Sequence, residues 1–276
     1  MVSILPLNGL LKIMKQQGNR MDLSVLVPGI RTHNWEALYN SIPISTERSW
    51  EMIFVGPSPP SPELSDKDNV QFIQDYGTPI RCQQIGLIHA QGDWITWAAD
   101  DGYFLESALD VGFDTLDEHG RNENIVVMGK YFEGEGNETT MSNNDYYLLN
   151  HHEATRSSFI PDSFLGLNVG LVSKSTLYKL GGWDCQFEVC PMAHADTAFR
   201  LQQYGTNFIP QDRIMFKCGH MPGITGDHGP VHYAQILHDE PLYKSIYGSE
   251  ACLNRKFIDI NNWKNCPSKW ERRFGR

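Results

Sequence analysis

Four short apolar runs constrain this chain more than any other feature: residues 23–27 (LSVLV), 50–55 (WEMIFV), 70–73 (VQFI) and 94–97 (WITW). Each has the length of a buried strand. Turn formers bound them, Pro28-Gly29 after the first and GPSPPSP after the second. The stretches between two pairs of them are helical in pattern: residues 35–42 (WEALYNSI), which Thr32 and Asn34 can cap, and residues 80–91. Strand and helix alternating in this way predict an α/β fold, with a mostly parallel central sheet and helices on its faces.

Beyond residue 100 the pattern continues less regularly. A helix is expected over 105–118, a strand over 125–128, and a strand followed by a helix over 166–180. A further helix, 196–204, is stopped by Gly205, and strands follow at 208–211 and 213–218. Residues 129–150 are polar and rich in Gly and Asn, as in a hairpin or mobile loop, and residues 1–20 read as an amphipathic lead-in. No repeat and no boundary divides the 276 residues, so one domain is expected.

Composition narrows the function. With 41% hydrophobic and 20% charged residues the chain can bury a core. Its net charge of −10 argues against binding nucleic acid through general basicity, while leaving room for a local basic groove around a nucleotide. Six scattered cysteines without a C-x-x-C suggest reduced thiols rather than a disulfide framework or a zinc ribbon. No apolar run approaches the ~18 residues that span a bilayer, and the N-terminal stretch makes a poor signal peptide. A soluble, cytoplasmic protein is the expectation.

The chemistry concentrates where the fourth run ends. Asp100 and Asp101 follow Trp97 directly, and the C-terminal edge of a central strand is where open α/β sheets bind ligands. Two carboxylates there can hold a hard divalent cation against a diphosphate. Asp100-Asp101-Gly102 also reads as a plain turn. Downstream, His220, His228, His232 and His238 form a second polar cluster, open to reading as surface histidines in a loop.

Four segments taken in order resemble the GT-A glycosyltransferases, specifically the large inverting family 2 group. They are LSVLVPGIRTHNWEALYNSI, the block Arg81-x-x-Gln84-x-Gly86-x-x-x-Ala90-x-Gly92-Asp93 with its strand and Asp100-Asp101, Leu180-Gly181-Gly182-Trp183-Asp184, and Asp196-Thr197-Ala198-Phe199-Arg200-Leu201 closed by Tyr204-Gly205. The resemblance spans residues 22–210. It implies a Rossmann-like, three-layer α/β/α sandwich with a nucleotide-binding half (1–100), an acceptor-binding half (101–250) and a basic aromatic tail (251–276). It also implies transfer of a sugar from a uridine or guanosine diphosphate donor to a hydroxyl of a saccharide, with inversion, assisted by Mn²⁺ or Mg²⁺.

The resemblance places Asp101 and His220 on the metal and Asp100 on the ribose or metal. Pro28, Ile30, Gly56 and Arg81 fall around the base and phosphates, although a surface salt bridge would also suit Arg81. Asp196 is expected at the start of a helix as the base that deprotonates the acceptor, with an N-cap role as the alternative and His194 as the rival base. Trp183, Asp184 and His194 are expected to shape the acceptor pocket, Trp183 being equally readable as core. Three departures stand out. Gly56-Pro57 replaces the acid common after the second strand, Ala99 precedes the two aspartates, and Ala193-His194-Ala195-Asp196 stands where Glu-Asp is usual.

Two other readings share these residues: a nucleotidyltransferase, for which PGIRTHNW is a poor triphosphate loop, and a catalytically inactive sugar-binding module, consistent with the alanines at 99 and 195. In the tail, Lys264, Lys269, Arg272, Arg273 and Arg276 interleave with Trp263, Trp270 and Phe274. That pattern suits either peripheral membrane contact or a packed terminal helix.

Overall fold

The computed structural model describes residues 21–133, 153–218 and 226–275. The four apolar runs form β1 (Leu23–Pro28), β2 (Trp50–Gly56), β3 (Val70–Gln74) and β4 (Trp94–Trp97), all parallel, in the order β3-β2-β1-β4. The sheet continues through β7 (Val169–Ser173), β6 (Ile125–Glu133), β8 (Asn207–Cys218) and β5 (Gly102–Phe104) to eight strands. In this second part β7 runs antiparallel to β4 and β6, β8 parallel to β6, and β5 antiparallel to β8.

Alternation along β1 shows why the sheet is covered on both faces. Leu23, Val25 and Val27 pack with Trp35, Leu38 and Ile42 of α1 (Trp35–Ser45) and with Leu109 and Phe113 of α4 (Ala108–Glu118). Leu26 points the other way, into a core with Ile80, Ile85 and Leu87 of α3 (Pro79–His89), Leu177 and Leu180 of α5 (Lys174–Leu180), and Phe199 of α6 (Cys190–Tyr204). The period-two side-chain pattern of a strand thereby feeds two cores, giving the three layers. A one-turn helix, α2 (Pro62–Ser65), follows β2.

The helix starts have local causes. Thr78 accepts a hydrogen bond from the Arg81 amide at 3.2 Å, and Pro79 occupies the first turn of α3. Pro191 does the same for α6, which therefore begins at Cys190 rather than at Asp196. Gly205, at φ 100°, ends that helix as expected. Two further differences are tertiary in origin. The runs 208–211 and 213–218 are one strand, β8, pairing with β6 across a register shift near Met128 and Lys130. Gly102–Phe104, expected only as a turn leading into a helix, becomes an edge strand because β8 offers it a partner. Of the polar stretch 129–150, residues 129–133 continue β6, and the rest lies outside the described residues, as does the lead-in 1–20. Among the described residues no helix is long and apolar enough to cross a membrane.

The loops after β1 and β2 are pressed together. The Gly29 amide donates to the Val55 carbonyl at 3.0 Å, and a Cβ on Gly56 would lie 1.9 Å from the Gly29 carbonyl oxygen. Gly56→Ala should therefore push the two loops apart and lower stability by about 2–3 kcal/mol, the cost of overpacking against backbone. Urea unfolding measures this, and a variant as stable as the parent would contradict the contact.

Candidate active site

A cavity of about 390 Å³ opens at the C-terminal ends of β1, β2 and β4, where open α/β sheets bind ligands. Pro28, Ile30, Gly56, Asp100, Asp101 and His194 line it. Arg81, Trp183, Asp184 and Asp196 do not line it, and His220 lies outside the described residues. Of the other histidines, His228 reaches the cavity wall, while His238 pairs with the buried Asp239 at 2.8 Å.

The acid pair converges on a cation from the chain itself. Asp100 accepts from the amides of Ile30 and Arg31, each at 2.6 Å, and the Arg31 guanidinium returns to it at 2.5 Å. The same nitrogen lies 3.0 Å from Asp101, and Arg31 Nε lies 2.6 Å from Asp227. His228 Nε2 is 2.9 Å from the other guanidinium nitrogen. Burial opposes the charge on Arg31, but Asp100, Asp227 and Asp101 outweigh it and raise its pKa further. Arg31 is thus a stand-in for a positive ion between two hard oxygen donors. That donor set suits Mg²⁺ or Mn²⁺, which bind through one or two carboxylates and complete their shells with water and phosphate oxygens. A metal there would compete with Arg31. Among the described residues no group of three ligating side chains surrounds one point.

Asp196 is elsewhere. It sits in the middle of α6, fully buried, and accepts from Arg200 Nε at 2.7 Å, Tyr247 Oη at 2.6 Å and Arg255 Nε at 3.0 Å. Burial alone would raise its carboxyl pKa, but Arg200, Arg255 and the Tyr247 hydroxyl together hold it below the ordinary range. Its oxygens are occupied, and it faces the core rather than the cavity, so neither the base role nor the N-cap role describes it. The reason is helix phase: two positions along α6 are about 200° of rotation apart, so with His194 on the cavity side Asp196 lies on the core side.

Asp184, also buried, is held by Arg255 and by its own turn through Gln186. Trp183 is fully buried, edge-on to Trp97 with ring centroids 5.3 Å apart, so it presents no face to a sugar. Arg81 forks onto Asp75 (Nε to Oδ1 and Nη2 to Oδ2, both 3.0 Å), donates to the Trp263 and Cys266 carbonyls, and covers the Trp263 ring at 5.0 Å. It fastens the C-terminal segment to α3 instead of meeting a ligand.

His194 takes up the cavity floor. Its ring lies 5.3 Å from that of Trp97, and its Nε2 is 3.3 Å from Gln83 Oε1. Burial pushes its pKa down to about 3, so at neutral pH the imidazole is uncharged. The Gln83 amide nitrogen is buried at the cavity and has no hydrogen-bond partner among the described residues. Arg31, Gln83, Asp75 and Arg273, all on the cavity wall, and Asp227, which holds Arg31 from behind, were not singled out as site residues from the sequence. Arg31 and Asp227 meet across 196 positions, a pairing no local pattern announces.

The C-terminal segment supplies one wall. Trp270 donates its amide to the Tyr76 carbonyl at 2.7 Å and its indole N–H to Glu188 at 2.9 Å, and Phe274 packs edge-on against Tyr76. Trp270 and Phe274 thus pack against the protein, as in the packed alternative, while Phe257 of the same tail is exposed.

No protein-family model matches the sequence, and no curated protein matches it. Solved structures do. S. aureus TarS 1–349 superposes with a TM-score of 0.53 at 15% identity, covering 88% of this chain and 71% of that one. The same TarS chain in complex with UDP gives 0.53 at 16% identity, with the same coverage. A longer TarS structure gives 0.52 at 18%, with 88% of this chain covering 45% of it. These likenesses show the fold that this chain shares with TarS, an α/β architecture around a mixed sheet.

Asp196→Asn removes one charge from a buried cluster and leaves two arginines short of a partner, which should cost about 3 kcal/mol or more in urea unfolding at neutral pH. Because the folded-state pKa is depressed, the stabilisation is present above the unfolded carboxyl value of ~4 and is lost as pH falls through the lower folded value. The gap between wild type and variant should accordingly narrow below about pH 4. A gap that is constant with pH would show that the charge of Asp196 is not what stabilises the fold.

Proposed function

We propose that the protein is a glycosyltransferase that moves a sugar from a nucleoside-diphosphate donor, uridine ahead of guanosine, to a hydroxyl of a saccharide acceptor with inversion at the anomeric carbon. One observation carries this reading. A single cavity at the strand ends gathers a convergent carboxylate pair, arginines and an uncharged buried imidazole. The similarity to TarS, one structure of which holds UDP, supports the choice of donor.

In this reading the nucleoside lies against the closely packed loops of Pro28–Ile30 and Gly56-Pro57, where backbone groups take the place of the missing acid after β2. Asp101 with Asp100 would hold Mn²⁺ or Mg²⁺, and such an ion would supply Lewis-acid stabilisation of a leaving diphosphate. His194 accepts the proton of the acceptor hydroxyl as that oxygen attacks the anomeric carbon opposite the diphosphate. Its lone pair is unprotonated at neutral pH but weakly basic while the cavity is empty, and the negative charge of a bound donor would raise its pKa toward the range in which it can hold the proton. Gln83, hydrogen-bonded to its Nε2, fixes the ring. One base on the face opposite the leaving group and no covalent step give inversion.

His194→Ala should leave UDP binding intact and lower transfer or donor hydrolysis by ~10²-fold or more, the usual contribution of a positioned base. Turnover of a panel of nucleotide sugars with Mn²⁺ measures this. Near-normal turnover would remove His194 from the role, and retention of configuration would overturn the single displacement. For the metal, Arg31→Ala frees the carboxylate pair, so Mn²⁺ alone should bind at least about tenfold tighter by calorimetry, given the Coulomb energy of two charges at contact. Unchanged Mn²⁺ affinity would take the ion away from Asp100 and Asp101.

A further inference from the structure

Among the described residues, the buried and half-buried arginines meet carboxylates, with one exception. Arg31 meets Asp100, Asp101 and Asp227, Arg81 meets Asp75, Arg200 meets Asp196, and Arg255 meets Asp184 and Asp196. Arg273 is half-buried on the cavity wall and makes no ion pair among the described residues. Its hydrogen bond goes to a neutral acceptor, the Asp227 carbonyl, at 2.5 Å, and its guanidinium lies over the ring of Trp270 at 5.5 Å. Burial draws its pKa downward, and the more distant Asp227 and Asp100 only partly offset that while Arg31 adds to it.

A guanidinium removed from water without a counter-ion is costly, yet this one is held firmly in place. Lys269 bridges to Tyr76, Trp270 is tied to Tyr76 and Glu188, and Phe274 packs on the Tyr76 ring. These contacts fasten the segment to the end of β3 and to the entry of α6. The charge is therefore positioned in advance beside the space that the strand-end acids also face. Asp227 links the two arginines, its side chain on Arg31 and its carbonyl on Arg273.

Charge balance says what belongs there. Asp100, Asp101 and Asp227 all surround Arg31, so a polyanion entering this cavity meets three carboxylates and gains from a further cation. A planar guanidinium with free donors matches phosphate oxygens two at a time. We propose that Arg273 receives the diphosphate of the nucleotide donor, which makes the segment around Trp270 and Phe274 part of the donor site. The inference rests on the donor reading given above and adds to it the residue of this chain that distinguishes a diphosphate from a monophosphate.

Calorimetry with uridine, UMP and UDP at saturating Mn²⁺ tests it on the full chain, with Arg273→Gln, which keeps the aliphatic stem over Trp270, and Arg273→Lys, which also keeps the charge. Wild type should bind UDP at least about tenfold more tightly than UMP, the scale of one charged hydrogen-bonded contact. Arg273→Gln should lose most of that preference while binding uridine within twofold of wild type, and Arg273→Lys should fall between. A purely structural role would weaken all three ligands together and would overturn the proposal. So would an unchanged preference for UDP in Arg273→Gln, and the lysine variant carries the comparison should the glutamine variant fail to fold. If wild type binds neither UDP nor GDP, the donor reading itself falls, and this inference with it.

Discussion

The carboxylate of Asp100 fastens the end of β4 to the loop after β1. Two backbone amides, those of Ile30 and Arg31, and the Arg31 guanidinium all converge on it. Because the loop after β1 is itself pressed onto Gly56, this one side chain fixes the relative positions of three strand ends and so the shape of the cavity. A buried carboxylate accepting several charge-assisted bonds is held strongly, and removing any partner would expose the desolvation cost of the rest. The geometry is thus set before any ligand arrives, the condition for electrostatic preorganisation.

A second ionic cluster does different work. Asp196, Arg200, Arg255, Asp184 and Tyr247 join α6 to the turn after α5 and to the C-terminal region. Arg200 also donates to the carbonyls of Leu180 and Gly182, and the Gln84 side chain bridges Gly181 and Trp183. Gly182, at φ 73°, leaves no room for a Cβ, which would lie 2.1 Å from Gln84. Three of the four segments that carry the family resemblance therefore touch one another. In this chain they act as scaffold, orienting α6 so that His194 faces the cavity and Asp196 the core.

The C-terminal segment links the two clusters. Arg81 anchors Trp263 and Cys266, and Tyr76 and Glu188 anchor Trp270. What composition presents as a basic, aromatic tail becomes a cavity wall to which Trp270, Arg273 and Phe274 contribute. The acidic balance of the whole chain and a local cationic wall coexist because charge acts over about one Debye length, not over the molecule.

The sequence by itself determined the sheet's parallel half, the helices beside it and the place of the acid pair. Strand alternation, Pro and Gly punctuation and Thr78 capping are local signals that act within a few residues. It also determined which residues border the cavity at the strand ends, because Pro28, Ile30 and Gly56 follow directly from those ends. Only the tertiary structure decided the rest. Which face of α6 meets the cavity is set by how the helix docks through its buried arginine cluster, and His194 and Asp196, two positions apart, then fall on opposite faces. The partners of Asp100, Asp227 and Glu188 come from segments tens to hundreds of positions away. Ionic pairing of that kind is chosen by which surfaces the folded cores bring within 3 Å, and no local pattern encodes that distance.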